Sequence, residues 1–140
     1  MRIAVPLEVA PGELRVALTP DSVVRLVKAG HEIHIQAGAG ERAGFPDSVY
    51  VSAGASIVDG AALYDGVTLV CRVQPPSHDE AALMPRGVSL LSLLNPARNR
   101  ELLQQLAEGG ITALALELVP RITRAQSMDC LLYTSPSPRD

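Results

Sequence analysis

The sequence predicts an α/β domain: a mostly parallel sheet with helices on both faces. Three observations carry that expectation. Short apolar or alternating runs recur along the chain, separated by stretches with helical spacing. Two of the runs, 67–73 and 88–94, are apolar nearly throughout, as strands covered on both faces must be. The 140 residues are 47% apolar and 19% charged, which is enough to pack one core in one domain.

The elements follow in order. Residues 2–5 form a strand stopped by Pro6, and 8–18 read as a loop around the turn signal Pro11-Gly12. Thr19-Pro20-Asp21 opens a helix, with Thr as N-cap, Pro in the first turn and an acid at the positive end of the dipole. Val23, Leu26 and Val27 give its apolar spacing, and Gly30 its stop. Residues 31–36 alternate, with Ile33 and Ile35 on one face, as in a strand. Gly38-Ala39-Gly40 breaks the chain before a short helix over 46–53 and a short strand over 56–58. The run 67–73 is a strand ended by Pro75-Pro76, 78–84 a short helix, and 88–94 another strand. Asn99 caps a helix striped by Leu102, Leu103 and Leu106, which Gly109-Gly110 ends. Residues 111–118 are the last strand, closed by Pro120. Right-handed crossovers join such strands, and ligands sit beyond their carboxyl ends. The loops after residues 5, 36, 73, 94 and 118 are therefore where function is expected.

Composition narrows the classes. A net charge of −3 argues against nucleic-acid binding, which needs Lys and Arg to neutralise phosphates. No stretch approaches the roughly 20 apolar residues of a membrane-spanning helix, and the N-terminus lacks the apolar region of a secretory signal. Cys71 and Cys130 make neither a disulfide framework nor a zinc site, so a soluble, reducing compartment is expected. His31, His34 and His78 have no carboxylate or thiol at ligand spacing, so no metal is expected.

Four places invite a functional reading. Gly38-Ala39-Gly40 with Gly44 follows a strand, but a dinucleotide fingerprint needs G-x-G-x-x-G opening an apolar helix. Here the third glycine is one residue late and Phe45-Pro46 follows, so a tight turn is expected, and Asp59 gains no ribose role. Glu13 and Arg15 share the loop after the first strand; the arginine either clamps an anion or braces the turn through Glu13. Arg72 ends a buried strand, where a charge must be paired or face a ligand. The segment after the last strand is the richest in polar chemistry. Arg121, Arg124, Gln126 and Asp129 lie within ten residues, and an Arg121–Asp129 pair could hold Gln126 toward a ligand.

Residues 130–140, Cys-Leu-Leu-Tyr-Thr-Ser-Pro-Ser-Pro-Arg-Asp, begin no helical or strand period, and Pro136 and Pro138 forbid a regular element. The string reads as the in-frame translation of a transposon-end sequencing adapter. The expectation is a natural domain over 1–129 followed by a non-native tail.

The segment Val119-Pro120-Arg121-Ile122-Thr123-Arg124-Ala125-Gln126-Ser127-Met128-Asp129 closely resembles the alpha subunit of proton-translocating NAD(P) transhydrogenases. The opening, Met1 to Pro6 followed by Glu13-Leu14-Arg15-Val16-Ala17-Leu18-Thr19-Pro20, and Gln36-Ala37-Gly38-Ala39-Gly40 resemble the N-terminal domain that this family shares with alanine dehydrogenases. The resemblance implies a flavodoxin/Rossmann-like three-layer fold whose downstream NAD-binding Rossmann domain is missing. It implies that Arg121, Gln126 and Asp129 contact and orient the nicotinamide of NAD(H). Hydride then passes to NADP(+) on a partner domain while a membrane domain moves protons. The implied partners are the transhydrogenase beta subunit, the membrane domain and a second alpha subunit in a homodimer. The implied place is the cytoplasmic side of the inner membrane. Alanine dehydrogenases carry a substrate-binding Lys where this chain has Gln74, and a catalytic His where it has Asn95. An amide has no usable pKa and cannot shuttle a proton. The transhydrogenases place a Ser where this chain has Leu132. The alternatives are a fragment of an alanine-dehydrogenase-like amino-acid oxidoreductase and a non-catalytic docking domain. The fragment alone is expected to be inactive and to bind no cofactor.

Overall fold

The computed structural model describes residues 1–118; Arg121, Gln126, Asp129 and the 130–140 tail lie outside the described residues. Six strands appear among the described residues: β1 (Arg2–Val5), β2 (Glu32–Gln36), β3 (Ser56–Val58), β4 (Leu69–Cys71), β5 (Ser89–Ser92) and β6 (Thr112–Ala115). Four α-helices connect them: α1 (Pro20–Lys28), α2 (Asp47–Ala53), α3 (His78–Leu83) and α4 (Arg100–Glu108). Short 3-10 turns occupy Glu41–Ala43, Gly60–Tyr64 and Leu116–Leu118. All neighbouring strands run parallel, in the order β3-β2-β1-β4-β5-β6. The chain winds outward from β1 to β3, then returns to place β4 against the other side of β1.

The alternation of side chains along each strand builds two cores. Ile3 and Val5 of β1, Ile33 and Ile35 of β2 and Cys71 of β4 pack with Val23 of α1 and Tyr50 of α2. Ala4, Val70 and Leu90 belong to the other face, under Ala81 of α3, Leu102 and Leu106 of α4 and Leu63 of the 3-10 turn. A sheet buried on both faces reads as an apolar run, which is why β4 and β5 were visible in the sequence.

Local signals explain most boundaries. Thr19 accepts the Ser22 N–H at 3.3 Å, and Pro20 takes the first turn of α1. Two expectations need correction. Asn99 does not cap α4 through its side chain: its backbone lies outside the extended cap geometry, and its amide donates to the Leu94 carbonyl at 2.7 Å. The final strand ends at Ala115 rather than 118. Beyond it the chain tightens into a turn that carries Glu117 back onto the β5 loop, where its carboxylate accepts the Leu94 and Asn95 N–H groups at 2.9 Å each. Among the described residues β6 is an edge strand with Thr112, Ala113 and Leu114 exposed, so burial does not extend its ladder there.

Candidate functional site

In this strand order the crevice lies where the winding reverses, between the carboxyl ends of β1 and β4. The loop after β1 (6–19) and the loop after β4 (72–77) meet there. Pro6 ends β1, and Leu7 donates instead to the Gln36 side chain at 2.8 Å, which turns the chain over the rim. Glu8 then enters the crevice with 3% of its surface exposed. Its carboxylate accepts Val73 N–H at 2.8 Å and Gln74 N–H at 3.0 Å.

Arg72 is 2% exposed and is satisfied from three sides. It donates to Glu80 at 2.6 Å and to the Gln74 carbonyl at 3.1 Å, and its second terminal nitrogen lies 3.8 Å from Glu8. Glu80 does double duty. It accepts the Ser77 N–H at 3.0 Å while Ser77 accepts the Glu80 N–H at 3.1 Å, a reciprocal cap that anchors α3 to the buried guanidinium. Glu13 accepts two side-chain hydrogen bonds from Arg15, at 2.8 and 2.7 Å, together with its backbone N–H at 2.9 Å. The Gln74 amide donates to the same carboxylate at 2.7 Å and ties the two loops together.

The electrostatics divide the carboxylates. Hydrogen bonds from Arg15 hold Glu13 down to about 2, against the opposing effect of burial. Burial pushes Glu8 up, resisted by the two N–H groups and by Arg72. Glu13 is thus ionised at neutral pH. Gln74 and Asn95, on adjacent loops, hold shape without exchanging protons.

The structure brings Glu13, Arg15 and Arg72 to one rim. Arg15 bridges to Glu13 and Arg72 to Glu8 and Glu80, the bracing geometries in each case. Glu8, Glu80 and Glu117 were not singled out from sequence. The Ser77-x-x-Glu80 spacing is a legible capping signal. Glu8 carries none, because its partner amides lie 65 and 66 residues away.

The described residues do not fit the diphosphate of a dinucleotide. The Gly38 N–H is already donated to Asp47 at 2.9 Å. A Cβ at Gly40 would lie 2.5 Å from the Tyr50 ring and 2.8 Å from the Phe45 carbonyl, so this glycine serves close packing. At the start of α1, Pro20 offers no N–H and Asp21 adds a negative charge. Asp59 caps its own 3-10 turn through Gly60 N–H at 2.9 Å. The three histidines sit apart, and no group of three His, Cys, Asp or Glu able to hold a metal occurs among the described residues. No helix among them is long and apolar enough to cross a membrane.

The sequence profile described as "Alanine dehydrogenase/PNT, N-terminal domain" matches residues 4–136. The chain belongs to that family. Within the alanine dehydrogenase/PNT N-terminal domain family it is 46% identical over 132 residues to NAD(P) transhydrogenase subunit alpha of Cereibacter sphaeroides, covering 94% of this chain and 25% of that protein. Alanine dehydrogenase of Halomonas elongata is 40% identical over 120 residues, 85% of this chain and 32% of that protein. The crystal structure of transhydrogenase from Sinorhizobium meliloti superposes with a TM-score of 0.88 at 36% identity, covering 94% of this chain and 38% of that one. An L-alanine dehydrogenase structure gives 0.84 at 39% identity, covering 94% and 36%. The chain therefore spans about a quarter to two fifths of the relatives it matches.

Proposed function

We propose that this domain is part of an NAD(P) transhydrogenase alpha chain whose full-length form passes hydride from NADH to NADP(+). The observation that carries the reading is the 46% identity to a subunit of that name, joined to the amides Gln74 and Asn95 at two rim positions. An alanine dehydrogenase would need a titratable group there. In this reading Arg121, Gln126 and Asp129 orient the nicotinamide end of NAD(H), and the adenine, ribose and diphosphate bind elsewhere in the full-length protein. That division agrees with the poor fit of the Gly38–Gly40 turn to a diphosphate. The cofactor supplies the hydride chemistry; the protein's task is alignment of donor and acceptor carbons. NADP(H) sits on a partner domain, with the beta subunit, a membrane domain and a second alpha subunit completing a complex on the cytoplasmic side of the inner membrane. Residues 1–129 are the natural part of this domain and 130–140 a non-native tail.

Assay of the full-length protein tests the reading. Hydride transfer from NADH to NADP(+) is expected, with no turnover of pyruvate, ammonia and NADH. The reverse result assigns the domain to an amino-acid oxidoreductase. Arg121→Ala and Asp129→Ala are expected to lower transhydrogenation by about ten-fold or more with little loss of folding. Unchanged rates would leave a docking domain. The 140-residue chain alone is expected to be inactive and to give no calorimetric NADH binding in the micromolar range.

A further inference from the structure

The rim is held by one device used twice. Where β4 ends, the N–H groups of Val73 and Gln74 lie past the last strand register pair, and both are accepted by Glu8 from the loop after β1. Where β5 ends, the N–H groups of Leu94 and Asn95 are both accepted by Glu117 from the turn after β6. In each case a carboxylate from the segment following the neighbouring strand grips two successive amides that the sheet leaves over. Such donors must be satisfied, but a water or a carbonyl satisfies one without fixing a direction. Two accepted bonds on one carboxylate set the orientation of the peptide between them.

What these amides carry makes the device more than a sheet ending. Gln74 is the residue whose side chain reaches Glu13 and thereby Arg15. Asn95 has φ +47, a left-handed backbone that a non-glycine residue keeps only where its surroundings over-determine it. Here the surroundings are Glu117 on its N–H and the Arg98 and Asn99 N–H groups on its carbonyl, at 3.0 and 3.2 Å. The two residues stand at the ends of adjacent strands on the edge where ligands of this sheet type bind.

We propose that Glu8 and Glu117 are positioning residues that fix the two rim loops so that Gln74 and Asn95 hold one conformation toward the bound nicotinamide nucleotide. The proposal rests on the transhydrogenase reading for the identity of that ligand and on the geometry for the clamps.

The test uses the full-length protein. In the unmodified chain the backbone amides of residues 73, 74, 94 and 95 are expected to exchange with deuterium at least about a hundred-fold more slowly than open loop amides. Unprotected amides overturn the proposal without any variant. Glu8→Gln is expected to release residues 73–74 alone, and Glu117→Gln residues 94–95 alone, because glutamine keeps one acceptor and turns an NH2 against the second donor. Each is expected to lower NADH-to-NADP(+) transfer about ten-fold while the Kd for NADH stays within about three-fold. Adding Glu8→Gln to Gln74→Ala, or Glu117→Gln to Asn95→Ala, is expected to cost no further rate. Losses that multiply, or lost rate with protection intact, overturn the positioning role. A full-length protein with no transhydrogenation overturns the proposed function instead, and loop protection alone then decides the clamps.

Discussion

Two turns on the same edge of the sheet look alike in importance and differ in construction. The turn after β2 is rich in glycine and suggests a phosphate loop. Its Gly38 N–H is taken by Asp47, and Gly40 is glycine because the Tyr50 ring and the Phe45 carbonyl leave no room for a Cβ. The rim between β1 and β4 contains no glycine pattern, yet it buries Arg72 among Glu8, Glu80 and the Gln74 carbonyl and ties Glu13 to Arg15 and Gln74. The difference teaches that spacing of glycines marks a backbone constraint, whereas buried charge at a topological reversal marks a place that the fold has organised.

The strongest way to break that contrast is Arg72→Met. It leaves the buried Glu8 and the partly buried Glu80 without their cation and is expected to lower stability by about 3–5 kcal/mol, read by urea denaturation. A loss below about 1 kcal/mol would mean that the rim carries little of the organisation ascribed to it. Gly40→Ala comes next. The conflict with a backbone carbonyl cannot be relieved by a rotamer change, so about 2–3 kcal/mol is expected in the same measurement. A neutral Gly40→Ala would reopen the turn as a ligand loop.

The smallest effect sharpens the rim itself through pH. Glu13 is lowered from 4.5 to about 2, so its contribution is complete above 4.5 and drains as pH falls from 4.5 toward 2. Glu8 is raised, so its contribution has the opposite sign: it is complete below 4.5 and is lost as pH rises through its folded value. Glu13→Gln is expected to flatten the acid limb of the unfolding free energy against pH, read by urea denaturation, by about 1–2 kcal/mol, a figure discounted for the partial exposure of Arg15. Glu8→Gln is expected to flatten the limb above 4.5. Identical profiles for both variants would show that the two carboxylates do not titrate as separate clamps.

Much of the fold was legible because its determinants are local. Thr19-Pro20 and Gly30 bracket α1, the alternation of Ile33 and Ile35 marks β2, and the apolar runs mark β4 and β5 as strands covered twice. The same local chemistry named Glu13, Arg15 and Arg72, since an intraloop pair and a charge at the end of a buried strand are visible in one dimension. Asn99 was misjudged because a competing local acceptor, the Leu94 carbonyl five residues back, took its amide; the last strand was misjudged because a tertiary pairing, Glu117 with the Leu94 and Asn95 N–H groups, lies beyond any local rule.

By itself, then, the chain's order of residues determined the elements, their parallel arrangement and the family motif, because propensity, capping and apolar period act over a few residues. Only the tertiary structure decided which carboxylate holds which loop. Glu8 meets Val73, and Glu117 meets Asn95, across gaps of 65 and 22 residues that no short-range rule spans, and it is the strand order that brings them together.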